Sequence, residues 1–185
     1  MTFKIYPVEQ DFEISKLHPS VKEHCDKYTD LTMRKISAFA YYKMLEFVFE
    51  TYKINLFDRE ISFEGKPHFI DYKMFFSISH EDDLVAVMID DEKECGIDLS
   101  RRVSNTKLAE KILSKAEKVQ YAGVAEADKE EYIARKWAMK EAYGKKIGKG
   151  LCDEVFNTTV EMALKRVTYQ DKVYYLCFTE QEEKN

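Results

Sequence analysis

The 185-residue chain holds only six Gly and three Pro, which excludes collagen-like and low-complexity classes. Its four cysteines, Cys25, Cys95, Cys152 and Cys177, are scattered and form no CxxC pair. That spacing argues against a disulfide framework or a zinc site and favours burial as small apolar residues in a reducing compartment. Long apolar runs are missing too. Leu84–Ile89 has six residues, and Ala38–Phe49 is interrupted by Lys43 and Glu46, whereas a spanning helix needs about 20. The first residues meet Glu9 and Asp11 before any signal-length apolar run develops. These absences lead us to expect a soluble, cytoplasmic protein with no membrane partner. Nor is there an excess of positive charge. Lys+Arg 29 against Asp+Glu 34 gives −5, so the whole molecule is not built to bind nucleic acid.

What the chain does have is apolar and aromatic mass: 45% hydrophobic residues, with 12 Phe and 12 Tyr, enough for a sizeable core. Ile36, Phe39, Ala40, Met44, Phe47 and Val48 recur at spacings of three and four, which predicts a helix over Leu31–Tyr52 capped by Asp30 or Thr32. Leu108, Ile112 and Val119 predict a second helix from about Asn105 to Tyr121. A third is expected from about Asp128 to Ile147, with Ile133, Trp137 and Tyr143 facing inward and Gly148 and Gly150 stopping it. Strand signals lie at Met74–Ser79, Leu84–Asp90 and Cys95–Leu99. The first two are joined by a turn at Glu81-Asp82-Asp83, and a further hairpin is expected from Thr159–Tyr169 and Lys172–Thr179 around Gln170-Asp171. The tail Glu180–Asn185 is expected to fray. Helices and strand pairs come in runs, in the same coarse order in both halves, which favours α+β over an alternating parallel sheet.

Three segments carry candidate chemistry. Gly65-Lys66-Pro67, followed by Phe76-Ser77-Ile78-Ser79-His80, offers hydroxyl, imidazole and ammonium donors suited to a phosphate; a strand-end Ser-His is more often a turn device. Gly96-Ile97-Asp98-Leu99-Ser100 puts Asp98 and Ser100 on one strand face, where an acid can hold a hard cation such as Mg²⁺; the plain alternative is a solvated edge-strand acid. The third runs from Trp137 through Lys140, Glu141, Lys145, Lys146 and Lys149 to Gly150-Leu151. Residues 137, 141 and 145 lie four apart on one helical face. Arg135, Lys136, Lys140, Lys145, Lys146 and Lys149 against Glu141 make a local +5, and its plain reading is a solvated basic helix with a Glu141–Lys145 surface pair.

Taken together, G-K-P, F-x-I-S-H, G-I-D and W-x-x-K-E-x-x-x-K with the trailing G-K-G-L resemble the Sfp-type 4′-phosphopantetheinyl transferases in order and spacing from Gly65 to Leu151. Ile112–Glu117 is similar to the segment preceding that family's last motif, and Arg34 through Lys43 to its Arg-containing N-terminal helix. The resemblance implies an α+β pseudo-dimer of two similar halves, residues 1–93 and 94–185, with coenzyme A between them. The implied reaction is Mg²⁺-dependent transfer of 4′-phosphopantetheine from coenzyme A to a serine of an apo acyl or peptidyl carrier protein, releasing adenosine 3′,5′-bisphosphate. The resemblance makes Asp98 and Glu141 the Mg²⁺ ligands. It makes Glu141 the group that helps deprotonate the carrier serine, and Lys145 the one that stabilises the leaving phosphate. Lys140, Ser79 and His80 become phosphate contacts, Gly65, Lys66 and Pro67 lie against the adenine, and Arg34 reaches the 3′-phosphate. Ser100 stands where the family usually has a glutamate, a neutral and weaker ligand for the ion. Two rivals are carried forward: a catalytically weak protein of this fold that binds coenzyme A or a carrier domain, and a docking module built on the basic helix.

Overall fold

The computed structural model describes residues 1–9, 11–101 and 107–180. The chain divides into two units, Met1–Cys95 and Gly96–Asn185. The first contains β1 (Thr2–Pro7), α1 (Pro19–Asp26), α2 (Leu31–Tyr52), the short strands β2 (Ile61–Ser62) and β3 (His68–Phe69), then β4 (Phe75–Glu81) and β5 (Leu84–Asp90). The second contains β6 (Ile97–Arg101), α3 (Leu108–Ile112), α4 (Lys115–Ala122), α5 (Lys129–Ile147), α6 (Asp153–Asn157), β7 (Ala163–Tyr169) and β8 (Lys172–Phe178). This is α+β. Each unit has one three-stranded antiparallel sheet, β1-β5-β4 in the first and β6-β8-β7 in the second; β2 and β3 form a separate pair. In both sheets the last strand of the unit sits in the middle, flanked by the first strand and by its own hairpin partner.

Local chemistry explains most of these elements. Asp30 Oδ1 accepts from the backbone N–H groups of Thr32 at 2.7 Å and Met33 at 3.1 Å, closing the N-terminus of α2. The helix is more deeply enclosed than one amphipathic stripe requires: besides the periodic positions, Ser37, Ala38, Tyr41, Tyr42 and Leu45 are buried. Its apolar side joins Phe69, Phe76, Val85, Val87 and Ile89 in the core of the first unit, where each buried Val, Ile or Phe side chain stabilises by roughly 1.5–3 kcal/mol. β5 is buried along its whole length, as its unbroken apolar run requires of a strand covered on both faces. Gln170 and Asp171 both have positive φ, 47° and 62°. This is the backbone of a two-residue hairpin turn whose twist matches the strands.

Three expectations are corrected. The first strand signal in the sequence lies at Met74, but the first unit opens with a strand, β1, which pairs with β5 from Thr2↔Ile89 to Pro7↔Leu84. The expected turn at Glu81 shortens to Asp82-Asp83, because Glu81 pairs with Leu84. The expected helix to Tyr121 is two helices, α3 and α4, parted at Leu113-Ser114; its expected start, Asn105, lies outside the described residues, as do residues 181–185 of the tail. Leu113 is the C-cap of the first and Ser114 the N-cap of the second. Ser114 Oγ accepts from Glu117 N at 3.3 Å, while Glu117 Oε2 accepts from Ser114 N at 2.9 Å, a reciprocal capping box. No helix among the described residues is long and apolar enough to cross a membrane. All four cysteines are free.

Candidate functional site

The polar face of β6 is set by its pairing with β8. Asp98 stands opposite Cys177 and Ser100 opposite Tyr175, and directly opposed residues share a sheet face. Tyr175 and Cys177 pack against Ala134, Ala138 and Ala142 of α5, so Asp98 and Ser100 face that helix. Small residues let helix and sheet come close, and Gly96 is the tightest point. A Cβ there would stand 2.0 Å from the Ala142 carbonyl oxygen. The face is therefore not the solvated edge of the plain alternative: Asp98 and Ser100 are each 5% exposed.

Glu141 and Lys145 project from α5 one turn apart. Lys145 Nζ donates to Asp98 Oδ1 at 2.7 Å, and Ser100 Oγ donates to Asp98 Oδ2 at 2.9 Å. The ammonium thus meets the strand acid rather than forming the surface pair with Glu141. Burial, and then the charge of Asp98, push the Glu141 carboxyl above the ordinary glutamate value, with Lys145 opposing. The result is two carboxylates, one hydroxyl and one ammonium brought together by one strand and one helix. No group of three or more His, Cys, Asp and Glu suited to a metal occurs among the described residues, so this is no all-protein cage. An all-oxygen set with two carboxylates nonetheless fits the way Mg²⁺ is commonly held, by one or two carboxylates together with substrate phosphates and water.

Lys140 faces the other way. It is 0% exposed, with Nζ 2.9 Å from Glu117 Oε2 and donating to the carbonyl oxygens of Phe156, at 3.2 Å, and Thr158. An ammonium has three protons, and all three have partners inside the unit, where the resemblance implied a phosphate contact. Glu117, also fully buried, has Lys136 Nζ 3.3 Å from Oε1. Burial acts to raise the Glu117 carboxyl, but the Lys140 and Ser114 hydrogen bonds and the two lysine charges outweigh it and hold the carboxyl below its usual range. Burial lowers Lys140. The pattern Ser114-x-x-Glu117 was the available sequence signal for this arrangement. With Lys136 and Lys140 on Glu117, Lys145 on Asp98 and Lys149 on Glu154 at 2.5 Å, at least four of the six cations of the basic stretch have carboxylate partners. The stretch is no open cationic face, which weighs against the docking-module reading.

In the first unit, Gly65-Lys66-Pro67 forms the turn between β2 and β3, with Gly65 at φ 72°. Lys66 Nζ donates to Glu94 Oε2 at 2.5 Å and to the Cys95 carbonyl at 2.8 Å. Lys66 and Pro67 line a cavity of about 420 Å³ together with His68, Phe69, Tyr72 and Lys73. Arg34, in the first turn of α2, is ion-paired with Asp26 of α1. Ser79 and His80 are consecutive in β4, so alternation sends them to opposite faces of the sheet. Ser79 is buried and His80 half-buried.

Comparison with known proteins bears on the second unit. A family model described as the 4′-phosphopantetheinyl transferase superfamily matches residues 94–183. Among curated proteins, 4′-phosphopantetheinyl transferase gsp of Aneurinibacillus migulanus is 34% identical over 88 residues, which cover 47% of this chain and 36% of that relative. The matched segment thus spans about a third of the relative's length. The segment that the family model matches holds β6 and α5, the elements that bring Asp98, Ser100, Glu141 and Lys145 together. Over this C-terminal segment, the chain is similar to the 4′-phosphopantetheinyl transferase superfamily.

Proposed function

We propose that the protein transfers the 4′-phosphopantetheine arm of coenzyme A to a serine of an apo acyl or peptidyl carrier protein and releases adenosine 3′,5′-bisphosphate. The observation that carries this reading is the meeting of Asp98, Glu141 and Lys145 on β6 and α5 inside the family-matched half. In the reaction the serine oxygen forms a bond to the phosphorus that carries the pantetheine arm, and the bond from that phosphorus to the bridging diphosphate oxygen breaks. Glu141 takes the serine proton, directly or through one water; a carboxyl raised by its surroundings is the stronger base. Lys145 meets the negative charge that grows on the departing phosphate. Asp98 and Glu141 would hold Mg²⁺, with the Ser100 hydroxyl beside them; when bound, the ion neutralises diphosphate charge. Lys66 and Pro67, on the cavity of the first unit, would take the adenine end together with Gly65, while Arg34, Ser79 and His80 would contribute phosphate contacts. Lys140 has a different part in this scheme: it ties α4, α5 and the chain after α6 together and so steadies the helix that carries Glu141. The shared strand order of the two sheets supports a pseudo-dimer of similar halves.

A second reading is a protein that binds coenzyme A or a carrier without efficient transfer. The observation favouring it is Ser100, a hydroxyl committed to Asp98 where a third carboxylate would strengthen the metal site. One experiment separates the two: mass spectrometry of apo acyl and peptidyl carrier proteins incubated with the full chain, coenzyme A and Mg²⁺. A gain of one phosphopantetheine unit is the expected result. Coenzyme A binding with no mass gain on any carrier would favour the second reading, and neither binding nor transfer would overturn both.

A further inference from the structure

Both oxygens of the Asp98 carboxylate are engaged by the chain itself. Lys145 Nζ donates to Oδ1 at 2.7 Å and Ser100 Oγ to Oδ2 at 2.9 Å. The Asp98 side chain is 6% exposed, whereas that of Lys145 is 28% exposed. A metal ion that uses this acid meets a donor already on either oxygen, and the two donors differ in whether they can share that oxygen with a cation. The hydroxyl is neutral and buried on the same strand. The ammonium is cationic, sits on a flexible four-carbon stem and has a way out toward solvent. Two cations cannot share one carboxylate oxygen in a poorly solvated setting without strong repulsion.

We infer that Lys145 is the resident counter-ion of Asp98, and that a divalent cation gains Oδ1 only by displacing it. The inference rests on the metal site proposed above. Ser100 keeps its hydrogen bond to Oδ2 during the exchange and fixes the carboxylate's orientation, which makes it a positioning residue rather than a metal ligand. Arrival of the ion and release of the ammonium are then one event. Lys145 becomes available to a phosphate only when the ion is in place, and the free protein binds the ion more weakly than its two carboxylates alone would allow.

The test is a calorimetric Mg²⁺ titration of the full chain without coenzyme A, repeated with Mn²⁺ by electron paramagnetic resonance. Lys145→Met should tighten binding of either ion about tenfold, the size of effect a charge-assisted hydrogen bond carries, and Lys145→Arg should keep the weak binding of the native chain. Equal affinity in the native chain and Lys145→Met, or weaker binding in the variant, would overturn the inference and leave the metal site standing. No binding in either protein at millimolar ion would remove the metal site and the inference with it. A second measurement needs no variant: acetylation of Lys145 by a water-soluble active ester, quantified by peptide mass spectrometry. Labelling should rise severalfold when Mg²⁺ is added, and unchanged labelling at saturating ion would overturn the exchange.

Discussion

At the scale of single residues, the proposed chemistry has Glu141 set activity against stability. Its carboxyl titrates high because burial and Asp98 disfavour its charge. The folded chain therefore holds a proton that the unfolded chain gives up at lower pH. The stability this contributes is present below the unfolded value and is lost as pH rises through the folded one. Glu141→Gln, lacking the charge, should melt about 2 °C higher than the native chain at pH 7.5 without divalent cation, with the gap closing toward pH 4. Transfer by the same variant should fall at least about 100-fold, the usual contribution of a positioned base. Near-native turnover would remove Glu141 from the proposed chemistry.

Lys140 makes the opposite case, a residue whose motif suggests chemistry and whose surroundings give it structure. Removing one member of a buried pair leaves the other charge uncompensated, a loss of about 3–5 kcal/mol. Lys140→Ala should lower unfolding stability by about 3 kcal/mol in urea titration, since Lys136 still faces Glu117. Unchanged stability with a raised KM for coenzyme A would instead return Lys140 to the phosphate contacts.

At the scale of elements, the candidate site depends on how closely β6 approaches α5. Gly96 permits the approach, because any side chain there would collide with the backbone of α5 at Ala142. Gly96→Ala should destabilise the second unit by about 1–3 kcal/mol or more. It should also reduce transfer, because Asp98 lies two residues along the displaced strand. Thermal melting and the carrier mass assay check the two effects; native stability with native transfer would show that the close approach does not set the site. The same scale shows why some elements were legible and others were not. α2 has a cap, a strong period and no interruption, so its ends follow from local chemistry. The α3–α4 break was hidden because Leu108, Ile112 and Val119 mimic one continuous period, although Val119 is in fact 77% exposed. β1 is short, and only its pairing with β5 makes it a strand.

At the scale of the whole molecule, the proposed substrate should stabilise the native state by mass action. Coenzyme A at about one hundred times its dissociation constant contributes about 2.7 kcal/mol, a rise in melting temperature of about 5–10 °C for a chain of this size. The rise should be larger with Mg²⁺ than without, and Asp98→Asn should remove the Mg²⁺-dependent part. A melting temperature indifferent to millimolar coenzyme A would count against the proposed substrate.

The sequence by itself determined the α+β class, the bounds of α2 and α5, the hairpin around Gln170-Asp171 and the positions of Asp98, Glu141 and Lys145. All of these follow from spacing along the chain, which fixes period, caps and which residues share a helix or strand face. Only the tertiary structure decided partners, because hydrogen bonds and burial join residues far apart in sequence. It gave Lys145 to Asp98 across 47 positions and turned Lys140 inward onto Glu117. It also buried the Asp98–Ser100 face that alternation left open. The two lysines lie on one helix, and what separates the ion pair that meets the candidate site from the one that holds the fold is which strand or helix the chain brings against each.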